Sequence, residues 1–562
     1  MDLLVHPLTI ASGNITQRCL AGAVTGVLSH LLYFIRGYHV TSAYGILLTH
    51  IALYTAITAL SVVQTGGILT GLAASTIVGA SYLAALFTSI IVYRLFFHPL
   101  RKFPGPLFGR ITKMYGPWTN RHGQMHIEQN KLFAKYGDIV RIAPNELLIL
   151  STDAIPKIHA AKSGCRKRHA GVYDVVHYRG AYNLDSILDR EEHRWRRQVW
   201  ERAMTTSSLS SYEPLTREVC HAWLSKLQTA SASRDELDTS LFSLLITFDN
   251  MGKIGFGHEF GTVAAGRENR MLRLLEVMFG QVAGLGELAW PIAVMQGFGV
   301  GGDAAEFDEL ARGMAEMVMR EDQKNPEQKN IIVGHFIQDF QSEKPTAFFE
   351  ENILYSDAGL VLVGATDTIA AALSYAFYHL AVHGGVQEKL AGLVGEVFGV
   401  TVPGEFANAD LAKIEFLDAV INETLRLDNP VCNNAARLTP PEGIVVDGLY
   451  IPGGVSVRVP GYAMQRSEKG FVRPDEFIPE RWTEWPELIV DRAAFMPFIV
   501  GPNNCVGKRL AMMVLRLVLA YTVHHYRFEL APGEDGTAIY REAKNNLILK
   551  AGPLKLVFDR RE

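Results

Sequence analysis

Hydrophobic patterning divides the chain into two unequal parts. Near the N-terminus, Cys19 to Ile35, Val40 to Val63 and Ile68 to Tyr93 contain no Asp, Glu, Lys or Arg. Spanning a hydrocarbon core takes roughly 20 apolar residues. The third run is long enough, the second is adequate, and the first is short and contains His30. A cleavable secretion signal would have one short apolar region and a cleavage site, unlike three successive runs. Arg94, Arg101, Lys102, Arg110 and Lys113 follow the third run, so everything downstream is predicted to lie in the cytosol. One span and three spans both put the N-terminus across the membrane. Arg36 suits three, and Arg18 on the far side opposes them. Residues 1–93 therefore read as a membrane segment with one to three helices, and 94–106 as a basic, proline-rich hinge. Its Phe103-Pro104-Gly105-Pro106 breaks any helix.

From 107 to 562 the patterning is that of one large folded unit, without internal repeats or low-complexity tracts. Val140-Arg141-Ile142 and Leu147 to Leu150, split by Ala143-Pro144-Asn145-Glu146, predict a β-hairpin. Ile444-Val445-Val446 and Tyr450-Ile451 around Asp447-Gly448 predict another. From Asp189 the pattern turns helical and basic, with His193 and Arg197 four apart on one face. Phe248 to Phe260 reads as a helix end and its turn. Ala289 to Gly302 is apolar and glycine-rich, fitting either a membrane-touching lid or a buried loop. A long helix is predicted over Phe349 to Leu380, containing Gly364-Ala365-Thr366-Asp367-Thr368. Its small residues allow a bulky partner to approach, and Asp367 and Thr368 set a carboxylate beside a hydroxyl. Glu423 and Arg426 form an i,i+3 pair.

Near the C-terminus, Phe498-Ile499-Val500-Gly501-Pro502-Asn503-Asn504-Cys505-Val506-Gly507 runs into an apolar stretch from Leu510 to Tyr521. A cysteine at such a loop-to-helix junction faces backbone N–H groups and the positive end of the helix dipole. Both are expected to favour thiolate, the metal-ligating form. Gly501 and Gly507 permit close backbone approach.

Composition narrows the choices. The chain has 562 residues, 48% hydrophobic and 20% charged, with net charge −4, a globular balance with nothing to attract nucleic acid. Its five cysteines form no CxxC pair, so a disulfide framework or zinc site is not expected.

The Cys505 stretch resembles the haem-binding signature of the cytochrome P450 family, Phe-x-x-Gly-x-Arg-x-Cys-x-Gly, with Asn503 where the family has arginine. Gly364 to Ile369 resembles the family's oxygen-activation motif, departing at Ala365 and Ile369. Glu423, Arg426 and Arg481 resemble a structural triad, Arg481 lying in Pro479-Glu480-Arg481-Trp482. Phe103 to Pro106 looks like the hinge of membrane-bound members, and His98 to Leu100 like fungal ones. The resemblance covers Phe103 to Phe558 and implies a mainly α fold with small β-sheets, the P450 fold, preceded by N-terminal transmembrane helices. It implies a haem-thiolate monooxygenase with Cys505 as the iron ligand and haem b as cofactor. Phe498 and Gly507 would pack around it, and His193, Arg197 and Arg437 would reach its propionates. Asp367 and Thr368 would relay protons, while Glu423, Arg426 and Arg481 would serve folding.

Electrons would come from NADPH through a separate NADPH-cytochrome P450 reductase, docked on Arg194, Arg196, Lys508 and Arg509. By the same resemblance a lipophilic substrate is lined by Tyr173 to Leu184, Gly280 to Gly299, the helix up to Ala365, and Pro430 to Ala435. Asn433 and Asn434 suggest that it carries carbonyl or N–H groups. The implied setting is the endoplasmic reticulum membrane, and fungal secondary metabolism of a terpenoid, alkaloid or polyketide. A family isomerase or dehydratase that consumes no O2, and a non-catalytic haem sensor, are the competing readings.

Overall fold

The computed structural model describes residues 14–167, 173, 177–285, 288–300, 302–322 and 330–562. Each N-terminal apolar run is helical: α1 (Ile15–Ser29), α2 (Ala43–Thr65) and α3 (Ile68–Val92). A π-helical turn extends α1 through Phe34, and another extends α3 through Phe97. Helix α1 lies against the backbone of α3. A Cβ on Gly26 would sit 2.3 Å from the Tyr82 carbonyl oxygen, and one on Gly22 3.0 Å from that of Val78. Small residues spaced by four permit such contact where hydrocarbon offers no hydrophobic drive between helices.

Two of these helices, Ala43–Thr65 and Ile68–Phe97, are long and apolar enough to cross a membrane, and their apolar windows are only 6% and 17% buried. A third helix, Glu351–Val382, passes the same test of length and composition but is 67% buried within the protein. That helix belongs to the core. The hinge is not loose. Leu100 and Phe103 are buried, and the Arg141 N–H donates to the Pro104 carbonyl at 2.7 Å.

The large unit is mostly helical. Its first sheet begins with the expected hairpin, β1 (Ile139–Ala143) and β2 (Glu146–Ile149), followed by the short helix α4 (Ala154–His159) and β3 (Arg166–Lys167). Helices α5 (Arg190–Ala203), α6 (Thr239–Phe256), α7 (Arg270–Leu285), α8 (Trp290–Gly297), α9 (Glu351–Val382) and α10 (Glu415–Leu427) follow. Asp189 caps α5, its carboxylate accepting from the N–H groups of Glu191 and Glu192. Strands β4 (Arg437–Leu438), β5 (Ile444–Val446), β6 (Leu449–Ile451) and β7 (Ser456–Arg458) come next. The sheet runs β1-β2-β7-β4-β3, and β5 and β6 form the second expected hairpin. Its turn residues Asp447 and Gly448 have φ of 48° and 77°, as a mirror-image two-residue turn requires. The chain ends with α11 (Lys508–His525) and a second hairpin sheet, β8 (Lys544–Asn546) with β9 (Ile548–Lys550), beside a three-stranded sheet that includes Lys555–Arg560.

Helix α9 runs through the middle, packed against α6, α10 and α11. Most of the described stretch after Ala289, itself buried, is neither a loop nor buried. It forms α8, with Trp290, Met295 and Phe298 exposed. Helix α8 ends against α2. A Cβ on Gly297 would come within 2.4 Å of the Tyr44 ring, and Phe298 meets that ring edge-on at 5.0 Å.

Candidate functional site

The loop before α11 is tightly folded. The Cys505 N–H donates to the Phe498 carbonyl at 2.9 Å. Ile499 has φ of 53° and Gly501 of 80°, and a β-branched residue at positive φ stores strain. At Gly501 glycine is obligatory, since a Cβ would lie 1.8 Å from the carbonyl oxygen of His159. Gly507 is different. Its φ is −83° and a Cβ there would sit 3.9 Å from the Cys505 sulfur. The Lys508 ammonium lies 5.6 Å from the centre of the Phe498 ring.

The Cys505 side chain is accessible, yet the protein packed around it pushes the thiol up. The Gly507 N–H and the charges of Arg197 and Lys508 oppose this without overcoming it. The junction alone therefore does not produce the expected thiolate. Coordination to a metal does so outright.

Helix α5 brings one expected residue to this loop. Arg197 donates to the carbonyls of Asn504 at 2.6 Å and Pro502 at 3.3 Å, to Asn504 Oδ1 at 2.7 Å, and pairs with Glu201 at 2.8 Å. One turn earlier, His193 is buried. Burial holds its imidazole down at about 3, helped by the charges of Lys167, Arg197 and Arg437. Lys167 and Arg437 are direct cross-strand partners in β3 and β4, and both are buried. Like charges facing each other across a sheet repel. Lys167, lowered to about 8 by burial, donates to the carbonyls of Asp185 at 2.7 Å and Leu184 at 3.2 Å. The Tyr173 hydroxyl lies within the influence of the Arg437 charge. The Asp185 carboxylate that counters these cations is itself exposed.

Arg196 corrects an expectation. It is 1% exposed, pairs with the buried Asp357 of α9 at 3.0 Å, and donates to the Tyr182 carbonyl at 2.6 Å. It cannot belong to a docking face. Arg194, paired with Glu191, and Lys508 and Arg509 are exposed.

Midway along α9, Gly364 is exposed, with Val363 and Ala365 beside it half-buried. Thr368 Oγ1 donates to the Gly364 carbonyl at 2.9 Å. Asp367 Oδ2 is buried and has no hydrogen-bond partner. Burial raises its carboxyl to about 7, with Lys550 pulling it down and Glu276 pushing it up. Those two residues pair with each other, joining β9 to α7. Asp367 and Thr368 do not hydrogen-bond each other, so a proton passing between them needs a bridging group.

The Glu423–Arg426–Arg481 triad is fully buried. Glu423 Oε1 accepts from Arg426 and Arg481, each at 2.9 Å, and Oε2 accepts from Trp482 at 2.9 Å. Asn433 and Asn434 sit within the protein. Asn433 donates to the Met125 sulfur at 3.4 Å and Asn434 to the Val459 carbonyl at 3.0 Å, while both side-chain carbonyls lack partners. Of the expected substrate lining, residues 174–176 and 286–287 lie outside the described residues.

Sequence reasoning passed over Lys167, Lys550, Glu276 and His159. The basic run Arg166-Lys167-Arg168-His169 was the available signal for the first. The others carry none, because only the fold brings them to their partners.

A model of the family described as cytochrome P450 matches residues 102–558. The chain is 32% identical over 484 residues to a cytochrome P450 monooxygenase of Eupenicillium brefeldianum, covering 86% of this chain and 96% of that protein. It is 29% identical over 566 residues to one of Penicillium fellutanum, covering 100% and 98%. It is 30% identical over 490 residues to the tryprostatin B 6-hydroxylase of Aspergillus fumigatus, covering 86% and 84%.

Proposed function

The chain belongs to the cytochrome P450 family of monooxygenases, and from that premise we propose that it inserts one atom of O2 into a lipophilic small molecule of a fungal secondary-metabolite pathway. One observation carries the proposal: an accessible thiol just before α11 lies near the buried Lys167, His193 and Arg437, and among the described residues the acid acting on Lys167 is the exposed Asp185.

Those residues fit haem b. Cys505 would hold the iron, with Phe498 and Gly507 around the sulfur. His193, Arg197 and Arg437 would hold the propionates, whose charge relieves the repulsion between Lys167 and Arg437. When bound, haem supplies the chemistry that divides O2, one atom going to the substrate and the other leaving as water. NADPH supplies the electrons through a partner reductase. Arg194, Lys508 and Arg509 are the exposed cations suited to its acidic face.

The chain's own part is to position the loop and move protons. Arg197 fixes the loop through the Asn504 and Pro502 carbonyls. Asp367, raised to about 7, is half-protonated at neutral pH, the condition under which an acid both gives and regains a proton efficiently. Thr368 offers a hydroxyl held at the Gly364 carbonyl, to which a bridging group would carry the proton. An enzyme that consumed no O2 would have no use for this pair.

The anchor helices and the exposed apolar α8 favour residence in the endoplasmic reticulum membrane, with α8 dipping into the lipid beside the substrate entrance. The substrate class proposed is a terpenoid, alkaloid or polyketide. The side-chain carbonyls of Asn433 and Asn434, both without partners, would suit N–H groups on it. The test combines metabolite profiling of a deletion strain with NADPH consumption by the purified protein and reductase. An accumulated precursor should drive oxidation and yield a product heavier by one oxygen. Substrate-independent NADPH use with no oxygenated product overturns the proposal.

A further inference from the structure

His159 ends α4 and is 5% exposed, and neither of its ring nitrogens has a hydrogen-bond partner. A buried imidazole must offer at least one N–H, so leaving both nitrogens unmatched is costly. Buried polar groups of this kind mark a place where something else completes the hydrogen bonding. The surroundings say what kind of group. The charge acting on the imidazole is that of Arg437, which with burial holds the ring neutral, at about 3. A second cation would be repelled, whereas an anionic oxygen would accept from the ring N–H and from Arg437 together.

The location is equally telling. The carbonyl of His159 abuts Gly501, within the Cys505 loop and two residues from Asn503. Asn503 stands where the resembled signature carries an arginine, and it offers only a neutral amide on a short stem.

We propose that His159, from a different element of the fold, donates a hydrogen bond to a haem propionate alongside Arg437 and so replaces the missing arginine of the loop. This rests on the haem reading above and adds a residue that no sequence motif marks. The neutral ring donates from one nitrogen. The negative charge placed beside it by the propionate shifts the ring toward protonation.

The experiment compares haem release from holoprotein to an excess of apomyoglobin, and the propionate bending bands in resonance Raman spectra, for wild type, His159→Phe and His159→Gln. The expected result is haem release at least tenfold faster in H159F with shifted propionate bands, most of the loss being restored in H159Q, which keeps a donor. Adding Asn503→Arg to H159F should also restore retention. Should H159F not fold, His159→Met carries the same comparison. Unchanged release and unchanged bands in H159F overturn the inference, as does equal haem loss in H159F and H159Q with wild-type bands, which would make His159 a packing residue. In both cases a wild-type protein with thiolate-ligated haem leaves the monooxygenase reading intact. A wild type that takes up no haem sinks both.

Discussion

Two buried groups of basic side chains lie in the same domain and behave oppositely. In the triad, Glu423 sits between Arg426 and Arg481 with all three at 0% exposure, and backbone carbonyls take up the remaining guanidinium donors. In the cluster before the Cys505 loop, Lys167 faces Arg437, His193 is held neutral, and the opposing acid is out in solvent. The first group is closed on itself; in the second, among the described residues, the acid acting on Lys167 is the exposed Asp185. Burial of charge is therefore no sign of a functional site. The diagnostic feature is burial without internal compensation.

The largest effect expected from this contrast is at Glu423. Glu423→Ala leaves two guanidinium groups buried and unpaired, at a cost of ~3–5 kcal/mol. Chemical denaturation of the haem-free protein should show a loss of that size, or no folded protein at all. A wild-type midpoint would mean that water reaches the triad.

Cys505→Ala comes next, because it separates fold from ligation. The haem-free protein should melt near the wild-type temperature, since the side chain is accessible. The reduced carbon monoxide complex should lose its thiolate-type absorption completely. Retention of that band would remove Cys505 from the iron.

Arg437→Met inverts the outcome at Glu423. Removing one of two facing cations should leave the haem-free protein as stable as wild type or slightly more so. Haem should dissociate roughly 10- to 100-fold faster, from the loss of a charge-assisted hydrogen bond worth about 1.5–3 kcal/mol. A destabilised haem-free protein would place Arg437 with the triad, as a structural arginine.

The smallest effect concerns Asp367. Its folded pKa, about 7, is raised above that of an exposed carboxyl. The stability linked to it is fully present below about pH 4 and is lost as pH rises through 7. Between pH 5 and 8, Asp367→Asn should flatten the fall in melting temperature and lower the fraction of NADPH coupled to product. An identical pH slope in the variant would show that the carboxyl is already ionised.

Much of the fold is legible along the chain because its causes are local. The apolar runs become α1 to α3, Asp447-Gly448 closes a hairpin, and α9 begins two residues after Phe349 and ends two after Leu380. The Cys505 loop is likewise a contiguous pattern, and so is the acid–alcohol pair on α9. Burial is where local reading fails. The run Arg194-Trp195-Arg196-Arg197 looks uniformly solvated, yet its members divide three ways: Arg194 to solvent, Arg196 to Asp357, and Arg197 to the loop. Helical phase gives each side chain a direction but does not say what lies there.

Sequence by itself determined the chemistry available: one cysteine in a glycine-bounded loop, one acid–alcohol pair, and an apolar N-terminal segment suited to a membrane. The tertiary structure alone decided the electrostatics. It set Lys167 opposite Arg437, left the nitrogens of His159 without partners, surrounded the Asp367 carboxyl with enough protein to raise it to about 7, and set α8 against α2. The reason is physical. A side chain's reactivity depends on its solvation and on charges within a few ångströms, and folding assembles both from residues far apart in the chain.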